Sequence, residues 1–158
     1  MIDESLPEVV QNFLRSGHKL ERIVLHENGV WRHEGLDFEN PRIIDLFSKS
    51  VGRTTGGTWI LEVGTFTYPI EVERTGFFVT RVDFKTGLIT LSDHTTEPLD
   101  ASTLHYEPDG KLFCWVKSGA FEARFLKDAY YMFAQHIEGD ENDLHVEWQG
   151  GEYPIRQN

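Results

Sequence analysis

The chain writes Tyr-Pro-Ile twice, at 68–70 and again at 153–155. The two copies sit in longer segments that align without a gap, WILEVGTFTYPIE at 59–71 and LHVEWQGGEYPIR at 144–156. Glu62 meets Glu147, and Tyr68-Pro69-Ile70 meets Tyr153-Pro154-Ile155. Each copy follows a stretch with helical spacing of apolar residues, starting at Pro41 in the first case and near Asp128 in the second. Helix, hairpin, Tyr-Pro-Ile: the same order recurs, and it limits the fold to two kindred pieces. One helix on a small sheet cannot cover its own apolar face, so the two halves are expected to pack on each other. Proline in both copies points to edge strands, where its missing N–H removes no ladder bond.

The rest of the chain fits this scheme. Ser5 and Glu8 have capping-box spacing, Pro7 lies in the first turn, and Gly17 is a stop, so a short helix carries Val9, Val10, Phe13 and Leu14 on one face. RIVLHENGVWRHEG reads as a hairpin turning at Glu27-Asn28-Gly29. Asn40-Pro41 opens a second helix with Ile43, Ile44, Phe47 and Val51 at helical spacing, ended by Gly52. TWILEV, TYPIEVE, GFFVTRVDF and LITLSD alternate as strands, and HTTEPLDAS at 94–102 is the most loop-like stretch. Pro108-Asp109-Gly110 parts TLHYE from KLFCWV, and AFEARF follows. A third helix is expected from Asp128 to Ile137, with Gly139 as its stop, before two closing strands. The fold class is therefore α+β: two related halves, each a short helix packed on a small, mostly antiparallel twisted sheet, plus an N-terminal helix. The boundaries are an N-terminal helix over 1–18, a first half over 19–90 and a second half over 91–158.

Composition narrows the function classes. A chain of 158 residues buries roughly 70% of its unfolded surface and needs no metal or disulfide to fold. A net charge of −11 without a compensating Lys/Arg cluster argues against nucleic acid and acidic membranes as partners. Cys114 stands alone in a strand-like run, which excludes an internal disulfide and points to a buried, inert thiol. The acidic N-terminal stretch lacks the apolar core of a signal peptide, and no apolar run reaches ~20 residues, so a soluble cytoplasmic protein is expected. Aromatic residues make up 13% of the chain, enough for a β-rich core and for an aromatic-lined pocket besides.

WRHEG at 31–35, the following helix with Leu46-Phe47, EAR at 122–124 with Tyr130-Tyr131, and Trp148-x-Gly-Gly resemble a bacterial family known as domain of unknown function 1285. In that family an aromatic-x-His/Tyr-x-Gly hairpin precedes a helix and the chain closes in a W-x-G-G strand. The resemblance spans roughly residues 22–155 and implies repeated motifs of mixed helix and strand. It implies no activity. Upstream of the hairpin this chain has HKLERIVLHE where the family carries a Pro/Cys/Gly-containing segment, which marks a distant or sister member.

No local motif carries recognisable chemistry. His33-Glu34 begins like H-E-x-x-H, but Leu36 and Asp37 follow, and strand neighbours face opposite ways. The seven histidines, 18, 26, 33, 94, 105, 136 and 145, lack metal-ligand spacing. Ser92-Asp93-His94 are consecutive and cannot form a triad's hydrogen-bond chain; Gly56-Gly57 and Gly150-Gly151 read as turns. On strand 121–125, Glu122 and Arg124 share one face while Phe121, Ala123 and Phe125 share the other, which leaves Arg124 able to clamp an acidic ligand.

These readings point to a binding or regulatory module with no cofactor and no metal. Its ligand, a small molecule or a protein, is expected at the seam between the halves, with Trp31 and His33 from the first and Arg124 and Tyr131 from the second. Two rival readings remain open. One is a small hydrolase or isomerase using His33 with Glu34, Asp37 or Glu122 as acid/base partner. The other is a structural or dimerisation domain that pairs through its Tyr-Pro-Ile edges, so the chain is a monomer or a homodimer.

Overall fold

The computed structural model describes residues 2–17 and 20–158; His18 and the expected boundary at 18/19 lie outside them. The chain divides into two compact units, 1–76 and 77–158. The first runs α1 (Glu8–Arg15), β1 (Ile23–Leu25), β2 (Trp31–His33), β3 (Leu36–Asp37), α2 (Pro41–Ser50), β4 (Val51–Arg53), β5 (Trp59–Val63), β6 (Phe66–Pro69) and β7 (Glu71–Val72). Its strands form two sheets, ordered β3-β2-β1-β7 and β4-β5-β6. Every pairing is antiparallel except β7 on β1, which is parallel, with Val24 opposite Glu71 and Leu25 opposite Val72. Asn40 caps α2 by accepting from the Arg42 N–H at 3.0 Å, and Pro41 occupies the first turn, where no helical N–H partner is lost. The Phe47 ring of α2 meets the buried Trp31 edge-on at 5.4 Å, and Leu25, Ile60, Leu61 and Ile70 complete this unit's core.

The second unit contains β8 (Phe77–Val82), β9 (Leu88–Leu91), β10 (Thr96–Pro98), a 3-10 turn (Ala101–Thr103), β11 (His105–Tyr106), β12 (Leu112–Val116), β13 (Phe121–Phe125), α3 (Lys127–Ala134), β14 (Ile137–Glu138), β15 (His145–Trp148), β16 (Gly151–Pro154) and β17 (Arg156–Gln157). Its large sheet is ordered β10-β9-β8-β13-β12-β11-β17, and a small one β14-β15-β16. Val79, Ile89, Leu104, Leu112, Val116 and Ala123 are buried, and the fully buried Phe133 of α3 lies against Phe125 and Trp148, at 5.3 and 5.6 Å. Strands 77–91, which the alternation pattern groups with the first half, pair here, because β8 lies parallel to β13 through Ala123–Phe77 and Arg124–Phe78.

From β11 onward the second unit traces the path that the first traces from β1. A hairpin and a third strand lead to a helix, the helix to a three-stranded meander, and a returning strand lies parallel to the first: β3-β2-β1-β7 in one unit, β13-β12-β11-β17 in the other. The registers agree residue by residue. Leu61 faces Tyr68 as Val146 faces Tyr153, and Ile60 faces Pro69 as His145 faces Pro154. The Ile70 N–H donates to the Trp59 carbonyl at 3.0 Å, and the Ile155 N–H to the Leu144 carbonyl at 2.8 Å. The hairpins match too: Gly29 donates to His26 and Gly110 to Glu107, at 2.9 and 2.8 Å. Both glycines have φ near +90°, which a side chain would oppose. Pro69 and Pro154 both lie on edge strands, β6 and β16.

Some local expectations are corrected. The capping box at Ser5 and Glu8 does not form. Pro7 is the N-cap of α1, and Ser5 instead donates its hydroxyl to Asp3 at 2.5 Å, because a carboxylate two residues away outcompetes a peptide as partner. Gly52 does not end α2; the β-branched Val51 already starts β4. Helix α3 ends at Ala134, since Ile137 joins β14 opposite Val146. The segment at 94–102 contains β10 and part of the 3-10 turn rather than loop alone.

Asp3 ties the N-terminal segment to the β4–β5 turn. Its carboxylate accepts from the Ser5 hydroxyl and N–H and from the hydroxyls of Thr54 and Thr58, at 2.5 to 2.8 Å. These bonds, the Ser5 hydroxyl foremost, hold the Asp3 carboxyl well below the usual carboxylate range. A depressed folded-state value means the tie contributes fully above pH ~4 and is lost as pH falls through that lower value. The expected result is that amide protection in α1, taken relative to intrinsic exchange at the same pH, falls at low pH, and falls at neutral pH in Asp3→Ala. Gly56→Ala should do the same, because a Cβ there would lie 2.0 Å from an Asp3 carboxylate oxygen.

Candidate functional site

On the second unit's large sheet, one face gathers polar side chains over an aromatic floor. The 3-10 turn is capped by Asp100, which accepts from the Ser102 N–H at 3.1 Å. Thr103 then bridges the turn to β12: its hydroxyl donates to the Asp100 carbonyl at 2.7 Å and accepts from the Trp115 N–H at 3.0 Å. This fixes the strand that carries His105. Register places Arg156, His105, Phe113 and Arg124 side by side across β17, β11, β12 and β13, with Trp115 beside Glu122 in the next such row. These side chains therefore share a face.

His105 is 7% exposed, its ring stacked 5.5 Å from that of Phe113. Nδ1 lies 2.8 Å from the Thr103 carbonyl, and Nε2 lies 2.7 Å from a Glu122 carboxylate oxygen. A carbonyl only accepts, so Nδ1 carries a proton. Both ring nitrogens thus meet a polar partner, which lets the imidazole remain in so dry a place. His105, Glu122, Trp115, Ser102, Arg156 and Asn158 line a cleft of about 350 Å³.

The first unit has a cleft at the matching position, along β1 and β7, of about 470 Å³. Here Glu71 stands where the second unit has Arg156, and Val24 stands where it has His105. Arg22 clamps Glu71 at 2.6 Å, which raises the arginine's pKa further. His26 Nδ1 lies 2.6 Å from Glu73, and Arg32 pairs with Asp37 at 2.5 Å. These charges are largely exposed and satisfy one another, so they add little to stability. A third, apolar groove of about 220 Å³ lies between α1 and β6, with Val9, Phe13 and Phe66 exposed along it.

The residues singled out from the sequence are scattered over other roles. Trp31 is buried, its indole N–H donating to the Ser48 hydroxyl at 3.3 Å; it packs α2 onto β2. His33 shares its strand face, meets Phe38 at 5.9 Å and pairs through Nε2 with Glu21 at 2.8 Å, so Trp31 and His33 belong to one aromatic cluster. The three carboxylates expected to assist His33 are engaged elsewhere: Glu34 accepts from the Arg22 N–H, Asp37 pairs with Arg32, and Glu122 with His105. Arg124 shares a face with Glu122 as expected, while Ala123 and Phe125 are buried on the other. Tyr131 is 57% exposed on α3, edge-on to Tyr130. Asp93 is pushed up by burial but held below its usual range by Lys117 and Thr95, so it serves an ion pair. Cys114 is fully buried, and burial pushes its thiol far up. Among the described residues, no three His, Cys, Asp or Glu side chains are placed to hold a metal ion, and no helix is long and apolar enough to cross a membrane.

His105 and Arg156 escaped the sequence reading. The matching turns at Asn28-Gly29 and Asp109-Gly110 carried part of the signal, since they set the hairpin register of His105; the parallel pairing that puts it opposite Arg156 has no local signature.

No family model matches the sequence, and no curated protein does. Among solved structures, a DUF1285 family protein from Silicibacter pomeroyi DSS-3 is similar, with a TM-score of 0.61 at 15% identity over 86% of this chain and 80% of that one. Another, from Shewanella baltica OS155, gives 0.53 at 14% identity over 73% of this chain and 92% of that one. The chain thus has the fold of these DUF1285 structures, in agreement with the resemblance read from its motifs.

Glu122→Ala strips a buried imidazole of its partner and should cost about 1–3 kcal/mol in urea unfolding. Glu71→Ala, at the matching place in the first unit, should leave the urea midpoint almost unchanged.

Proposed function

We propose that the chain is a small-molecule binding module and that its site is the second unit's cleft, along β11, β12 and β17. The observation that carries this reading is the pairing of a buried His105 with a partly exposed Glu122 beneath an open cleft. A buried polar pair is often no better for stability than apolar residues of similar volume. Here it has an exposed arginine, Arg156, and a 42% exposed Trp115 beside it. Apolar walls with a few placed polar groups are the ordinary make-up of a ligand site.

Both ring nitrogens of His105 are engaged, one with Thr103 and one with Glu122. Binding therefore has more support than proton transfer by this imidazole. Catalysis by His33 has less support again, since its Nε2 is taken up by Glu21. Pairing through the Tyr-Pro-Ile edges is opposed by the prolines themselves, which remove a donor from β6 and β16. The shared strand order and register support an internal repeat. On that view one scaffold was used twice, with the ligand chemistry kept in the second copy.

A thermal-shift panel of common metabolites should yield a compound that raises the melting temperature by mass action. That compound should perturb the Trp115 indole and His105 signals in NMR spectra of the full chain. A hit that leaves both signals unmoved and shifts those of α1 or α3 instead would overturn the assignment.

A further inference from the structure

The cleft chemistry, on the reading just given, also specifies a class of ligand. Among the described residues, no carboxylate lies within ion-pair distance of Arg156, whereas its counterpart Glu71 is neutralised by Arg22. Arg156 therefore offers this cleft a cation on a chain of net charge −11. A guanidinium presents paired N–H donors that match the two oxygens of a carboxylate or phosphate. Glu122 discriminates between the two: its carboxylate side chain, 21% exposed, lines the same cleft and disfavours a dianion more than a monoanion. Trp115 lies between them on β12, a flat apolar surface. A volume of about 350 Å³ is at the small end for ligand clefts.

We propose that the second unit's cleft binds a small monocarboxylate with a flat apolar body, the carboxylate held by Arg156 and the body laid along Trp115. The first unit's cleft, with Glu71 in place of that arginine, does not share this preference.

Three probes test it on the full chain: 4-hydroxyphenylacetate, its uncharged amide, and phenyl phosphate, each titrated while the Trp115 indole signal is followed. The carboxylate should bind at Trp115 about tenfold or more tighter than the amide, as expected for a charge-assisted pair, and tighter than the phosphate. Arg156→Gln, an exposed substitution that should not disturb folding, should bring carboxylate and amide to equal affinity. Equal binding of acid and amide to the unaltered protein, or tighter binding of the phosphate, would overturn the ligand class while leaving the cleft as a site. If none of the three moves the Trp115 signal, the class is also wrong. The cleft itself then stands or falls with the metabolite panel.

Discussion

Each unit is closed by one short parallel pairing. After Tyr-Pro-Ile the chain leaves the meander, crosses over and lays two residues beside the first strand of the hairpin: Glu71-Val72 against Val24-Leu25, and Arg156-Gln157 against His105-Tyr106. The isoleucine at the crossing, Ile70 or Ile155, is buried in both. This contact brings the end of the meander segment onto the hairpin sheet through backbone bonds. Parallel pairs join residues far apart in sequence and form only after the intervening chain is ordered. The recurrence of Tyr-Pro-Ile therefore follows from geometry: a proline on an open edge, then an apolar anchor at the turn inward.

That closing strand also decides what each sheet face can do. The residue after the anchor isoleucine projects onto the same face as its partner on the hairpin's first strand, Val24 or His105. In the first unit it is Glu71, and the neighbouring Arg22 silences it. In the second it is Arg156, beside a histidine paired with Glu122. The same strand order thus carries an ion-paired glutamate at this place in the first unit and an arginine in the second. The difference comes from two side chains rather than from any change of topology.

Much of the architecture was legible in the sequence because it rests on local rules. Asn-Gly and Asp-Gly turns, an Asn-Pro helix start, alternating strands and the repeated Tyr-Pro-Ile all act within a few residues of chain. Where those rules failed, a neighbour had stepped in: Asp3 captured Ser5, and Val51 took a strand partner before Gly52 could end the helix. The site was far less legible. His105 meets Glu122 across three strands, a relation set by register and invisible to spacing along the chain. Trp31 and His33 drew notice as an aromatic-histidine pair, yet their spacing of two served to put both against the Phe38–Phe47 cluster. Arg124 was placed on the correct face with Glu122, because alternation along one strand is a local rule.

Cys114 sits in β12 opposite Ala123, in the middle of the second unit's sheet and out of contact with solvent. Its sulfur is protonated and shielded while the sheet is intact, so alkylating reagents meet a reactive thiolate only after the strands part. A single covalent tag at this atom would therefore act as a stopwatch for opening of the second unit. The first unit holds no sulfhydryl and would stay silent in the same measurement.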